Sequence, residues 1–117
     1  MDANTLAALL AAAKTYLQIT WTDQETDNRL TELIRAGVFY LDSKRGAAGD
    51  YTIPGYPRTL LFEYVRYARD GALDVFENNY KALILAMQNE RQVNDYAVAA
   101  GNAIPAQEPS RNLSGVQ

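Results

Sequence analysis

The residues of this chain that could do chemistry are mainly carboxylates, because the sequence contains neither histidine nor cysteine. Imidazole catalysis, cysteine nucleophiles, disulfides and Cys/His zinc sites are therefore excluded. The aspartates occur as two pairs four residues apart, Asp23/Asp27 and Asp70/Asp74, so that each pair shares one helix face. Such pairs can bind Mg²⁺ or Ca²⁺ in a suitable fold, but acidic residues are also favoured in the first turn of a helix. We interpret Asp23, Glu25 and Asp27 as residues of a first helical turn and predict no metal ion and no cofactor.

Serine hydroxyls are the other candidate nucleophiles, and they lack the partners that catalysis needs. No base accompanies the candidate serines Ser43, Ser110 and Ser114 in the sequence. The glycines between Gly46 and Gly55 lack the lysine and the spacing of a phosphate-binding loop. We predict that the protein has no catalytic residue and is not an enzyme.

Arginines are arranged in a way that suits binding rather than catalysis. A stripe with steps of 4, 4 and 3 along a predicted helix contains Arg58, Phe62, Arg66 and Arg69. Arginine side chains pair with carboxylates and backbone oxygens across protein interfaces, so this stripe is a candidate contact surface. The alternative is a solvated helix face on which Arg66 pairs with Asp70.

Tyrosine is unusually frequent, with eight tyrosines against three phenylalanines. A tyrosine ring favours burial, but its hydroxyl needs a hydrogen-bond partner, which places many tyrosines at the edge of a core or at an interface. Tyr51 and Tyr56 lie in a loop where no helix is available to bury them. We predict that these two and Tyr96 are interface residues.

Apolar spacing indicates that the elements positioning these residues are helices, and it predicts an all-α fold of three to four helices in a small bundle. A first helix is predicted over about 4–17. A second helix is predicted over about 23–45, with Thr22 and Glu25 as its capping box and Gly46 just past its end.

A third helical region is predicted from Pro57 to about Arg91, either as one bent helix or as two helices separated at Asp70-Gly71. Sixteen apolar or aromatic positions at helical spacing form the predicted core. They are Leu6, Leu9, Leu10, Leu17, Leu30, Leu33, Ile34, Val38, Leu41, Leu61, Val65, Phe76, Tyr80, Leu83, Ile84 and Met87.

The predicted helical domain covers residues 1–92, and an extended C-terminal arm covers residues 93–117. The loop over 46–57, with three glycines and two prolines, is predicted to be an interaction element. The arm is expected to be disordered in the free protein and to become ordered on a partner. Its predicted anchors are Ile104, Leu113 and Val116, with Val98 at its start.

Charge and hydropathy limit the possible partners. The net charge is −3, whereas duplex-DNA binders normally carry a strong positive excess. The sequence has no run of 18 apolar residues and does not begin with a basic segment followed by an apolar one, so we expect no membrane partner and synthesis in the cytoplasm of the cell that makes it.

Two long stretches of the sequence resemble one known family. The first, residues 11–46, reads AAAKTYLQITWTDQETDNRLTELIRAGVFYLDSKRG, and the second, residues 56–91, contains LLFEYVRYARDGALDVFENNY. Together they resemble the head–tail connector family of long-tailed bacteriophages, also called adaptor or head-completion proteins. The resemblance covers about residues 6–92.

The resemblance implies a non-enzymatic helical bundle located in the neck of the virion and made in the host cytoplasm. Family members form a ring, expected here to be a dodecamer, beneath the portal protein. The ring extends the DNA channel, where DNA makes at most non-specific contacts, and it receives a tail-completion or stopper protein. The alternative interpretation is a small helical protein-interaction or regulatory module that forms no ring.

Overall fold

The computed structural model describes residues 1–99 and has five α-helices in this part of the chain. In chain order these are α1 (Ala3–Tyr16), α2 (Gln24–Arg45), α3 (Tyr56–Arg69), α4 (Leu73–Asn79) and α5 (Lys81–Ala99). The predicted all-α class is confirmed, and no strand occurs within residues 1–99. The predicted number of helices was too low, because the third helical region is interrupted twice.

The first interruption follows α3 at Gly71, whose φ of +72° is accessible to glycine without strain. There the amide of Ala72 donates to the carbonyl oxygen of Tyr67 over 2.8 Å, which closes the helix. The second interruption is at Tyr80, between α4 and α5. The region is therefore three helices, rather than one bent helix or two.

The ends of α2 confirm one predicted signal and correct another. Gly46 adopts the left-handed conformation, with φ of +84°, as expected for a glycine past a helix end. At the other end, the cap is Asp23, whose carboxylate accepts from the amide of Thr26 over 3.0 Å. The predicted Thr22–Glu25 capping box was therefore wrong by one position, because the aspartate at position 23 reaches the free amide of the first turn.

The paired helices α2 and α3 form the centre of the bundle. Helix α1 packs on α2 and α3 from one side, and α5 packs on the same pair without touching α1. The short helix α4 packs against α3 and α5. All sixteen predicted core residues lie in this core or are partly buried against it. Buried apolar residues absent from the prediction are Ala13, Ile19, Tyr51, Leu60 and Phe62.

Tyr51 corrects the prediction that the loop tyrosines lack a burial site in their own chain. Its residue exposure is 3%. Its hydroxyl donates to Oδ1 of Asp42 on α2 over 2.6 Å, and the amide of Gly49 donates to the same oxygen over 2.9 Å. Because α2 supplies an acceptor, the ring can be buried without losing a hydrogen bond. Burial and this acceptor carboxylate raise the pKa of the Tyr51 hydroxyl.

The C-terminal part of the chain is helical for longer than expected. Helix α5 continues through Ala99, so residues 93–99 do not belong to an extended arm. This stretch contains neither glycine nor proline, and an ion pair of 3.2 Å joins Arg91 to Asp95 one turn later. The predicted anchors Ile104, Leu113 and Val116 lie outside the described residues. Within residues 1–99, no helix is both long enough and apolar enough to span a bilayer.

Candidate functional site

A groove runs between α1 and α3. Its first part is a cavity of about 500 Å³ lined by Tyr16, Pro54, Arg58, Thr59 and Phe62, among other residues. Its second part is a cavity of about 410 Å³ lined by residues that include Gln18, Glu63, Arg66, Arg69 and again Tyr16. Because Tyr16 lines both cavities, we treat them as one surface, the α1–α3 groove.

The predicted arginine stripe lines this groove along its whole length. Arg58 and Phe62 belong to the first cavity, and Arg66 and Arg69 belong to the second. The interpretation of the stripe as four exposed contact residues needs correction at Phe62, which is 5% exposed. Its ring is covered by the Tyr16 ring, with centroids 5.3 Å apart, and by the Arg58 guanidinium, 4.8 Å from the ring centroid. Phe62 is therefore part of the groove floor.

Glu63 is a buried carboxylate beside the groove, and the sequence interpretation did not single it out. Its side chain is 7% exposed and accepts hydrogen bonds from the hydroxyls of Tyr16 and Tyr80 and from the guanidinium of Arg66. The distance to the Tyr80 hydroxyl is 2.5 Å. Arg66 thus pairs with Glu63. The solvated-face alternative, in which Arg66 pairs with Asp70, was wrong about this partner. A lone glutamate inside the apolar run LLFEYV, three residues before an arginine, was the available signal.

These hydrogen bonds determine how the groups at this site titrate. Burial alone would raise the pKa of Glu63, but the hydrogen bonds from Tyr16, Tyr80 and Arg66 outweigh burial and hold its pKa below the ordinary value. In turn, burial and the bond to the Glu63 carboxylate raise the pKa of Tyr16 to about 12. Glu63 is therefore ionised and saturated with donors, which suits a structural anchor better than a general base.

The chain at the end of α1 adopts an uncommon backbone conformation beside the second cavity. Gln18 has a φ of +60°, a region that residues other than glycine rarely occupy. The turn is closed by the amide of Ile19, which donates to the carbonyl oxygen of Lys14 over 2.8 Å, and it buries the Ile19 side chain. Burial of Ile19 therefore accompanies the strained turn at Gln18.

A second candidate surface lies on α5, on the side that faces away from the core. At 100° per residue, six positions fall on one face opposite the buried Ile84 and Met87. This α5 outer face consists of Ala82, Leu85, Asn89, Gln92, Val93 and Tyr96. None of these side chains is charged, and Leu85, Val93 and Tyr96 are 54%, 66% and 76% exposed. The helix thus presents large apolar side chains on the side opposite its buried face as well.

The stretch of α5 from Gln92 to Ala97 has little support from the described part of the chain. Each of these residues is exposed, whereas Arg91 before them is half buried. A helical end without packing is marginal in water, because helix stability in proteins comes mostly from packing of an apolar face. The exposed apolar face at this end is the feature that a partner would cover.

The other predicted site residues do not form a common cluster with these surfaces. Tyr56, at the start of α3, is 37% exposed, and Tyr96 belongs to the α5 outer face. Of the aspartates, Asp23 is a helix cap, and Asp27 pairs with Lys14 over 2.8 Å. Within residues 1–99, no group of three or more carboxylates is arranged to hold a metal ion.

No protein family, curated protein or solved structure was found to match this chain. The two candidate surfaces are therefore defined by geometry alone. They occupy different parts of the bundle: the groove is formed by α1 and α3, and the outer face belongs to α5, which contacts α3 but not α1.

Proposed function

We propose that this protein is a structural subunit of a bacteriophage neck, a head–tail connector that assembles into a ring beneath the portal protein. The observation that carries the proposal is a pair of dissimilar surfaces, the α1–α3 groove and the α5 outer face, which share no residue and are both open within residues 1–99. A subunit with two different faces joins its copies head to tail, and such contacts close into a ring when the rotation per subunit allows it. The resemblance of residues 6–92 to head–tail connectors favours the closed ring.

The charge of the chain is compatible with a channel through which DNA must slide. A net charge of −3 provides no general attraction for phosphate, which a basic channel lining would hold. In the proposed neck, the ring contacts the portal on one side and a tail-completion or stopper protein on the other. The expected copy number, twelve, comes from the family resemblance.

The test is assembly of the purified chain, alone and with the portal protein of the same phage. Size-exclusion chromatography with light scattering gives the mass of the complexes, and electron microscopy gives their symmetry. We expect a ring of copies on one end of the portal. If the chain fails to bind the portal and is found only as a monomer or dimer in the mixture, the ring is wrong and the small interaction module is the better description.

A matched pair of variants separates assembly from folding in this test. Val93→Asp places a charge on the α5 outer face, and Phe39→Asp places the same charge at a position of α2 that is 77% exposed. Because both side chains are exposed, we expect both variants to keep the helical circular dichroism spectrum of the parent chain. Only Val93→Asp is expected to lose the ring.

A further inference from the structure

We infer that the α5 outer face of one copy occupies the α1–α3 groove of the next copy. This pairing rests on the proposed function and adds the contact by which the subunits are joined. The occupant of the groove is thus a second copy of this chain, and the contact is helix against groove.

The arrangement of the helices indicates that an α5 helix that occupies the groove comes from another chain. Helix α1 forms one wall of the groove, and α5 makes no contact with α1. The outer face of α5 points away from the α2–α3 pair, since Ile84 and Met87 on its opposite side are buried in the core. A copy can therefore offer its α5 outer face to a neighbour while its own groove stays open for another neighbour.

The two surfaces are alike in chemistry where they would meet. The floor of the groove contains the Tyr16 and Phe62 rings, and Pro54 lies at one end. The α5 outer face offers Val93 and Tyr96, which are among the most exposed large apolar side chains in residues 1–99. Large aromatic side chains that enter an apolar groove are typical anchors of protein interfaces.

The charges are opposite along one border of the two surfaces. Arginines 58, 66 and 69 lie along the groove, and Glu90 lies on one side of the α5 outer face, whereas the other side has Lys81 and Asp95, the latter paired with Arg91. Within residues 1–99, neither Arg69 nor Glu90 has an ion-pair partner. Complementary borders fix the register of an interface and disfavour other pairings.

The main competitor is an antiparallel pair of two α5 helices, one from each copy. The outer face permits it, because Ala82 would oppose Tyr96 and Leu85 would oppose Val93 about a central Asn89. That pairing would bring the Glu90 carboxylates of both copies near each other and would leave the arginine-lined groove empty. Like charges across an interface are unfavourable, so we favour the groove.

The chain has no native cysteine, which makes cross-linking between single-cysteine variants specific. We would mix Val93→Cys with Thr59→Cys, a position on the groove, and add a short bis-maleimide cross-linker that tolerates small shifts in register. The control mixture pairs Val93→Cys with Ser43→Cys, an exposed position on α2 outside the groove. We expect at least tenfold more cross-linked dimer from the first mixture. Equal yields from both, including none in either, overturn the pairing.

Val93→Cys alone tests the competitor. If this variant alone gives a higher yield of cross-linked dimer than its mixture with Thr59→Cys does, the groove pairing is wrong and two α5 helices pair with each other.

The pairing and the connector function can fail separately. Rings on the portal without the 59–93 cross-link contradict only the pairing, whereas the cross-link without portal binding supports the pairing and contradicts the connector function.

Discussion

At the scale of single residues, Glu63 is the clearest case of a charged side chain that the fold holds in one place. Its carboxylate is buried and receives hydrogen bonds from Tyr16 on α1, Tyr80 after α4 and Arg66 on its own helix. A buried carboxylate costs several kcal/mol unless donors replace the lost water, and here three do so. The network therefore ties α1 and the α4–α5 junction to α3.

Glu63→Gln should destabilise the chain by about 2–3 kcal/mol at pH 7, because a buried acceptor loses its charge and one oxygen becomes an amide donor facing other donors. The loss should depend on pH. Because the pKa of Glu63 in the folded chain is below its ordinary value of 4.5, the unfolded chain binds the proton first as the pH falls. The stabilisation is fully present above about pH 4.5 and is lost as the pH falls through the folded-state pKa. Urea denaturation at pH 7 and pH 3 measures the difference, which should be smaller at pH 3.

Glu77→Gln is the matched control for this prediction. Glu77 accepts from the Tyr40 hydroxyl over 2.5 Å and pairs with Lys44 over 3.0 Å, but its side chain is 57% exposed. An exposed pair contributes little, so we expect little change in stability at either pH and much less than Glu63→Gln causes at pH 7. Equal losses for the two variants would mean that burial of Glu63 is not what makes its network important.

The sequence predicted which arginines line the α1–α3 groove better than it predicted the groups with which they pair. The spacing of Arg58, Arg66 and Arg69 correctly placed them along one surface, because helical periodicity is a local property. The partner of Arg66 could not be predicted, since Glu63 and Asp70 are both within one helical turn. The choice depends on burial and on the hydroxyls of Tyr16 and Tyr80, which come from distant parts of the chain.

At the scale of elements, the contact between α2 and α3 depends on a position without a side chain. Gly37 lies on the buried face of α2, where an added Cβ would lie 2.7 Å from Cδ1 of Leu61 and 2.9 Å from Cδ1 of Tyr64. Those distances are shorter than any normal carbon–carbon contact, so the Leu61 and Tyr64 side chains or one of the helices would have to move. Glycine at this position lets both side chains pack directly on the α2 backbone.

Gly37→Ala should lower the free energy of unfolding by about 1–3 kcal/mol, as overpacking in a core does. A loss of stability would be informative, because helix propensity alone favours alanine over glycine by about 1 kcal/mol and so predicts a gain. Ser43→Ala, at an exposed position of the same helix, should have no effect or be slightly stabilising. Thermal unfolding of the two variants gives the comparison, and a stabilised Gly37→Ala would show that the helices can separate at no cost.

The elements themselves were predictable to different degrees. Helices α1 and α2 follow from apolar spacing and from Gly46, all of which are local signals. The break at Tyr80 has no glycine or proline to mark it, and α5 continues past Gln92 although its apolar residues there face solvent. The burial of Tyr51 depends on Asp42, nine residues earlier in the chain, so loop composition alone suggested the wrong environment.

The end of α5 should be the least stable part of the described helices in the free chain. Amides from Val93 to Ala97 have no tertiary packing to protect them, whereas those near Ile84 and Met87 belong to the core. We expect hydrogen exchange about a hundredfold faster in the first group when the chain is alone, and slower exchange there after assembly. Protection of the 93–97 amides in the free chain equal to that at Met87 would mean that this end needs no partner.

At the scale of the whole molecule, the central question is whether copies associate through two different surfaces or through one surface used twice. Two different surfaces give assemblies that grow at both ends until they close, whereas one self-complementary surface gives a dimer that stops. The groove on the α1 side and the apolar face of α5 favour the first case. The difference is measurable with variants that each damage one surface.

A mixture of two assembly-defective variants should therefore form a heterodimer and nothing larger. In the first variant, Val93→Asp and Tyr96→Asp damage the α5 outer face. In the second, Thr59→Trp and Arg69→Glu damage the groove, and all four positions are exposed, so both variants should fold. Neither can assemble alone, because every contact between identical copies would need the damaged surface. In the mixture, the intact α5 of the second variant fits the intact groove of the first, and both remaining surfaces of that pair are damaged. Light scattering of the mixture, under conditions in which the unmodified chain assembles, should give a mass of two chains. Rings from either variant alone, or larger complexes from the mixture, would contradict head-to-tail association through these surfaces.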